Sequence, residues 1–239
     1  MSDSVESKQL GAPAGGARSV CGGDRRIAEI IARLEGEYGP RAFVSRGRAV
    51  DVLVETVLSQ NTSDVNSHRA YQALVAQFGS LEAVASARVE DIERAISSAG
   101  LSRIKSVRIR ELLVRLLSEN GSLDMSFLRE LSVDEARRYL TSLRGVGLKT
   151  ASCVLLFALG MPAMPVDTHV HRVSRRLGLI GPLVSADAAH AALEAIVSPD
   201  DRYRFHLLMI EHGRRVCHSR NSRCAMCVLN SICPSALVS

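Results

Sequence analysis

The sequence predicts an all-α fold, on three observations. Apolar residues recur at the three- and four-residue spacing of helices buried on one face, as in Ile27, Ile30, Ile31 and Leu34. No segment sustains the strict alternation of a half-buried strand. Glycines, far more often than the seven prolines, punctuate the periodic stretches, at Gly79, Gly100, Gly121, Gly160 and Gly178.

Taken in order, residues 1–23 are rich in Gly, Ala and Ser without an apolar period and read as a mobile tail. From Arg25 the first helix begins. Further helices are expected over 49–59, 64–78, 80–85, 88–98, 102–118, 124–130, 132–142, 148–159, 167–177, 185–196 and 201–215. No internal repeat is evident. At 239 residues the chain can bury one large core or two smaller ones. Its most apolar run, Val154 to Met161, is far short of the roughly 20 residues that span a bilayer. Neither a signal peptide nor a transit peptide is legible, so the expected location is the cytoplasm, at the nucleoid if the partner is DNA. A net charge of +5 carried mostly by arginine is compatible with a polyanionic partner but does not require one.

Chemistry concentrates in two places. In Leu143-Arg-Gly-Val-Gly-Leu-Lys-Thr-Ala151, Gly145 and Gly147 allow a tight reversal between helices and bare the amides of the next helix N-terminus, a phosphate-binding arrangement. Lys149 falls in the first turn of that helix, where the dipole penalises an ammonium and favours the neutral, nucleophilic amine. Eighteen residues on, Asp167 in Val166-Asp-Thr-His169 is placed to cap a helix. A carboxylate held there also stays ionised and can stabilise a cationic transition state; the two roles are compatible.

The second place is Cys217-x6-Cys224-x2-Cys227-x5-Cys233. Four thiols within seventeen residues favour a metal site over disulfides in a reducing compartment. Spacing alone leaves zinc and an iron–sulfur cluster both open. Arg220 and Arg223 lie between the first two ligands and are candidate phosphate contacts.

Together, the hairpin segment and Val166-Asp-Thr-His169 resemble the helix-hairpin-helix Gly/Pro-Asp motif of the endonuclease III family of DNA glycosylases. Val57-Leu-Ser-Gln-Asn-Thr-Ser-Asp64 is similar to that family's lesion-side stretch, and Ala99-Gly-Leu-Ser-Arg-Ile-Lys105 to its wedge loop. The similarity runs from about Ile27 to Cys233; Arg144 and Leu148 depart from the residues common in the hairpin. The resemblance implies a two-lobed fold, with a six-helix barrel over 46–161 and an iron–sulfur lobe from 24–45 and 162–239. It implies Lys149 and Asp167 as catalytic residues, and a [4Fe-4S] cluster on Cys217, Cys224, Cys227 and Cys233. Candidate DNA contacts are Gln60, Asn61, Thr62, Leu101, Arg103, Lys105, Gly145, Gly147, His169, Arg172, Arg220 and Arg223. The implied function is a bifunctional glycosylase and AP lyase of base excision repair. It would act as a monomer on double-stranded DNA carrying an oxidised pyrimidine or an abasic site. The alternatives are a mismatch-specific glycosylase of the same superfamily and a non-catalytic DNA-binding module. Adenine-specific members place a glutamate near position 56, where this chain has Thr56 beside Glu55.

Overall fold

The computed structural model describes residues 22–236. Residues 1–21 of the expected tail, with Cys21, lie outside them. The described residues form eleven α-helices with short 3-10 turns and no strand. The helices are α1 (Gly22–Tyr38), α2 (Ala49–Ser59), α3 (Asp64–Phe78), α4 (Leu81–Ser86), α5 (Val89–Ala95) and α6 (Ser102–Asn120). There follow α7 (Val133–Ser142), α8 (Leu148–Phe157), α9 (Thr168–Arg176), α10 (Ala186–Ile196) and α11 (Arg202–Arg215). No helix among the described residues is long and apolar enough to cross a membrane.

Local chemistry sets the boundaries. Ser63, Ser80, Ser132, Asp167 and Ser185 each cap a helix by accepting a backbone N–H, and Ser132 with Glu135 completes a capping box. The five glycines expected at helix ends all take positive φ. Two expected helices are corrected. The 88–98 helix stops at Ala95 and gives way to a 3-10 turn, Ser97–Ala99, before the positive-φ Gly100, and the Ala99 carbonyl accepts from Thr62 and Lys105. The 124–130 segment is a 3-10 turn, Ser126–Glu130, because the Asp124 carboxylate accepts the Ser126 N–H and hydroxyl and closes a local turn.

Two apolar cores result. One collects buried residues between Ala49 and Ala163 around α2 and α8, the most apolar helices, which pack on each other. The other joins Ile27, Ile30, Ile31 and Leu34 of α1 to residues between Met164 and Leu229. Burial of these apolar faces supplies the main driving force, at roughly 25 cal/mol per Å². A half-buried ion pair between Arg137 of α7 and Glu194 of α10 crosses from one core to the other, and Glu194 also accepts the Met164 N–H at 2.8 Å.

Candidate active site

The hairpin between α7 and α8 is pinned by Leu143 and Val146, both buried, with the Val146 N–H bonded to the Leu143 carbonyl at 3.1 Å. Gly145 has φ +83°, and a Cβ there would meet Arg108 Cδ at 3.0 Å, so two constraints demand glycine. Gly147 is different. Its φ of −93° is open to any residue and a Cβ would touch nothing within 4 Å. The expectation that the reversal needs both glycines is corrected for Gly147, whose bareness leaves the uncapped N-terminus of α8 open to an outside group.

Lys149 sits in the first turn of α8 and Asp167 caps α9, its Oδ1 accepting the Val170 N–H at 2.7 Å. Both line a single cavity of about 400 Å³ between the two cores. No ion pair involves Lys149 among the described residues. Its neighbour one turn on, Cys153, is buried, and burial pushes that thiol up while the Lys149 amine opposes the shift. His206, almost fully buried, forms the floor. Its Nδ1 hydrogen-bonds the Pro165 carbonyl at 2.8 Å, two residues before Asp167. Burial holds its pKa down at about 4; Lys149 and Arg46 push the same way, and Asp167 opposes them. Glu55 and His68 face each other on the cavity wall at 3.7 Å, whereas Thr56 spends its hydroxyl on the Val52 carbonyl at 2.6 Å. Arg214 of α11 reaches Asp64 of α3 at 2.5 Å, an ion pair across the cavity lining that no sequence motif signals.

Around the cavity the expected DNA contacts divide. Gln60 donates to the Gly145 carbonyl at 3.1 Å, linking the end of α2 to the hairpin. Asn61 and Leu101 are exposed and left-handed, with φ +53° and +51°. Leu101 is 53% exposed. Thr62 turns inward to the Ala99 carbonyl, and Arg103 is exposed. Lys105 is corrected: only 1% exposed, it cannot meet a phosphate. Arg172 is also corrected as a free DNA contact. Its guanidinium donates to the carbonyls of Cys217 and Gly213 at 3.0 and 2.9 Å and lies 3.1 Å from His169 Nδ1, tying α9 to the cysteine loop. His169 is thereby half-buried and packed against Gly213.

Cys217, Cys224, Cys227 and Cys233 line one cavity of about 210 Å³ and form no disulfide. No three Cys, His, Asp or Glu among the described residues converge as a single metal ion requires. Four thiols lining one cavity are the donor set of both zinc and iron–sulfur sites. Burial and the three other thiols raise the Cys227 thiol, so four thiolates here call for a cationic partner. Arg176, not foreseen from the sequence, donates to Cys217 Sγ at 3.2 Å, the His218 carbonyl at 2.6 Å and Ser222 Oγ at 2.7 Å. The loop so held presents Arg220 and Arg223 to solvent on either side of the left-handed Asn221.

A helical hairpin, a lysine and an aspartate sharing one cleft, and a cysteine-lined cavity beside it define a helix-hairpin-helix DNA glycosylase fold. Residues 54–199 match the family model described as HhH-GPD superfamily base excision DNA repair protein. The chain is 35% identical over 182 residues to endonuclease III of Thermotoga maritima, covering 76% of this chain and 81% of that one. It is 36% identical over 189 residues to an Arabidopsis thaliana protein named for DNA glycosylase activity, covering 79% of this chain but only 62% of the plant protein. Two solved endonuclease III structures superpose with TM-scores of 0.76 and 0.75, at 28% and 27% identity, covering 90% of this chain and 97% of each of theirs. One is a non-covalent DNA complex and the other a trapped covalent intermediate. The chain belongs to the HhH-GPD superfamily of base excision DNA repair proteins and, within it, to the endonuclease III type, a family of DNA glycosylases and AP lyases.

Proposed function

We propose that this chain acts, as a monomer on duplex DNA, as a bifunctional glycosylase and AP lyase that removes oxidised pyrimidines such as thymine glycol. The observation that carries the reading is the meeting of Lys149 and Asp167, each from one core, in the same 400 Å³ cavity. A base inside a duplex is out of reach, so the nucleotide must be extruded. In this reading Leu101 fills the gap, Gln60 and Asn61 meet the opened pairs, and Arg103, His169, Arg220, Arg223 and the amides after Gly147 grip the backbone.

The neutral Lys149 amine attacks C1′, the C1′–N bond breaks, and the base departs with the electron pair. The ionised Asp167 stabilises the positive charge that develops on the sugar. Proton loss from the lysine nitrogen and opening of the ring give a Schiff base. Removal of a C2′ proton then expels the 3′ phosphate, cleaving the strand, and hydrolysis of the Schiff base frees Lys149. The polar wall formed by Glu55, Ser59, Ser67 and His68 suits a pyrimidine that has gained hydroxyl groups.

The four cysteines would hold a [4Fe-4S] cluster, whose contribution there would be structural, fixing the loop that bears Arg220 and Arg223. Arg176 and the buried His212, 3.4 Å from Cys227 Sγ, would stand beside it. The deciding experiment is borohydride trapping on a thymine glycol duplex and an abasic duplex. Adducts on both, absent in Lys149→Gln, are expected. An adduct on the abasic duplex alone would move base preference elsewhere, and an unchanged adduct in Lys149→Gln would remove the lysine from the chemistry. A mismatched-adenine reading has one observation in its favour, the position of Glu55 on the cavity wall. Excision of adenine lost in Glu55→Gln would support it.

A further inference from the structure

Lys105 is among the largest fully buried side chains of the described residues, and the chemistry above does not use it. A lone ammonium is costly to bury unless its donors are taken. Here two are, by carbonyls from different segments: Leu58 at 2.6 Å and Ala99 at 2.7 Å. Leu58 lies in the last turn of α2, whose carbonyls have no partner within the helix and carry the negative end of its dipole. Ala99 ends the 3-10 turn before α6. Each carbonyl therefore sits two residues before a residue assigned above to probing DNA, Gln60 in one case and Leu101 in the other.

The same junction is braced from the side. The Thr62 hydroxyl shares the Ala99 carbonyl, the Ser98 hydroxyl donates to the Asn66 carbonyl at 3.3 Å, and a Cβ on Gly100 would lie 3.3 Å from Thr62 Oγ1. Among the described residues only three other than glycine take positive φ, and two of them, Asn61 and Leu101, are in these two loops. Such backbone conformations persist only where the surroundings over-determine them. A long apolar stem ending in one ammonium does that for both loops together.

We infer that Lys105 is a positioning residue: its ammonium clasps the Gln60–Thr62 loop to the Leu101 loop, holding the wedge and the pair-probing side chains at one fixed separation. It acts through those loops and never touches DNA. The assignment rests on the reading that they open the duplex. Where the nucleotide is already unpaired, the clasp has nothing to contribute.

The test compares cleavage of an abasic site in duplex DNA with cleavage of the same site in a single strand, using the holoenzyme and Lys105→Met. The ratio of the two rates is independent of how much enzyme is folded. Loss of positioning should lower the duplex rate by on the order of tenfold to a hundredfold while the single-strand rate holds within about twofold. On a Leu101→Ala background the further loss from Lys105→Met should largely vanish, because the wedge it aims is gone. Parallel loss on both substrates, or no loss on either, would overturn the inference and leave Lys105 a fold element. Failure of the underlying reading is separately visible: Leu101→Ala alone would then leave the duplex rate unchanged.

Discussion

Mild acid should destabilise this protein through its buried histidines, His190, His206 and His212, and substituting His206 should remove one share of the effect. The His206 imidazole is 2% exposed, donates its Nδ1–H to the Pro165 carbonyl, and has its pKa held at about 4 against a normal 6.5. Below pH 6.5 the unfolded ring takes up a proton that the folded ring refuses until about pH 4, so stability falls through that window as pH drops. For one such group the loss between pH 7 and pH 5 is about 2 kcal/mol. In a chain of this size that is a fall in Tm of roughly 4–8 °C. His206→Gln keeps a donor for Pro165 but has no titration in this range. Urea unfolding of both proteins at pH 7 and pH 5 is the assay, read as the difference between their two acid losses. The variant should lose about 2 kcal/mol less. Equal losses in the two proteins would refute the argument that a buried neutral His206 contributes to the acid sensitivity beside His190 and His212.

Asp167→Asn should leave stability within about 0.5 kcal/mol, since asparagine caps as well as aspartate, yet lower the abasic-site cleavage rate on the order of a hundredfold; rates beside urea midpoints separate the two roles. Gly145→Ala should destabilise by about 1–2 kcal/mol, through its φ of +83° and the Arg108 contact. Gly147→Ala should leave the urea midpoint unchanged while weakening duplex binding several-fold in a fluorescence titration, if the bare backbone is there for a phosphate. Glu194→Ala should cost about 1–3 kcal/mol in urea unfolding, because it leaves Arg137 with Asp134 as its one carboxylate partner and frees the half-buried Met164 N–H.

The helices and the hairpin were readable because their determinants are local. Apolar spacing, serine caps and terminal glycines lie within a few residues of what they specify, and the Leu143–Ala151 and Val166–His169 segments are short. Lys105 was misread for the opposite reason. A lysine in a basic segment reads as surface, and its true partners are backbone carbonyls 47 and 6 residues away, which carry no side-chain signature. Arg172 was misread in the same way, and Arg176 was missed among the basic residues of α9, although both are anchored by main-chain oxygen. The Arg214–Asp64 bridge spans 150 residues of sequence. Gly147 resembled Gly145 until the dihedrals separated a glycine the turn requires from one it merely tolerates.

The second core is built from the two sides of the chain that flank the first. Ile27 to Leu34 must wait for partners between Met164 and Leu229, whereas residues from Ala49 to Ala163 can pack among themselves. On the ribosome, where domains fold as they emerge, the part bearing Lys149 can therefore settle while α1 still lacks its partners. Asp167 arrives with the late part, whose assembly also needs the cysteine loop at its far end. An unfinished chain thus carries the lysine proposed as nucleophile without the carboxylate proposed to work beside it, and the order of synthesis would keep the proposed centre incomplete until the second core has been added.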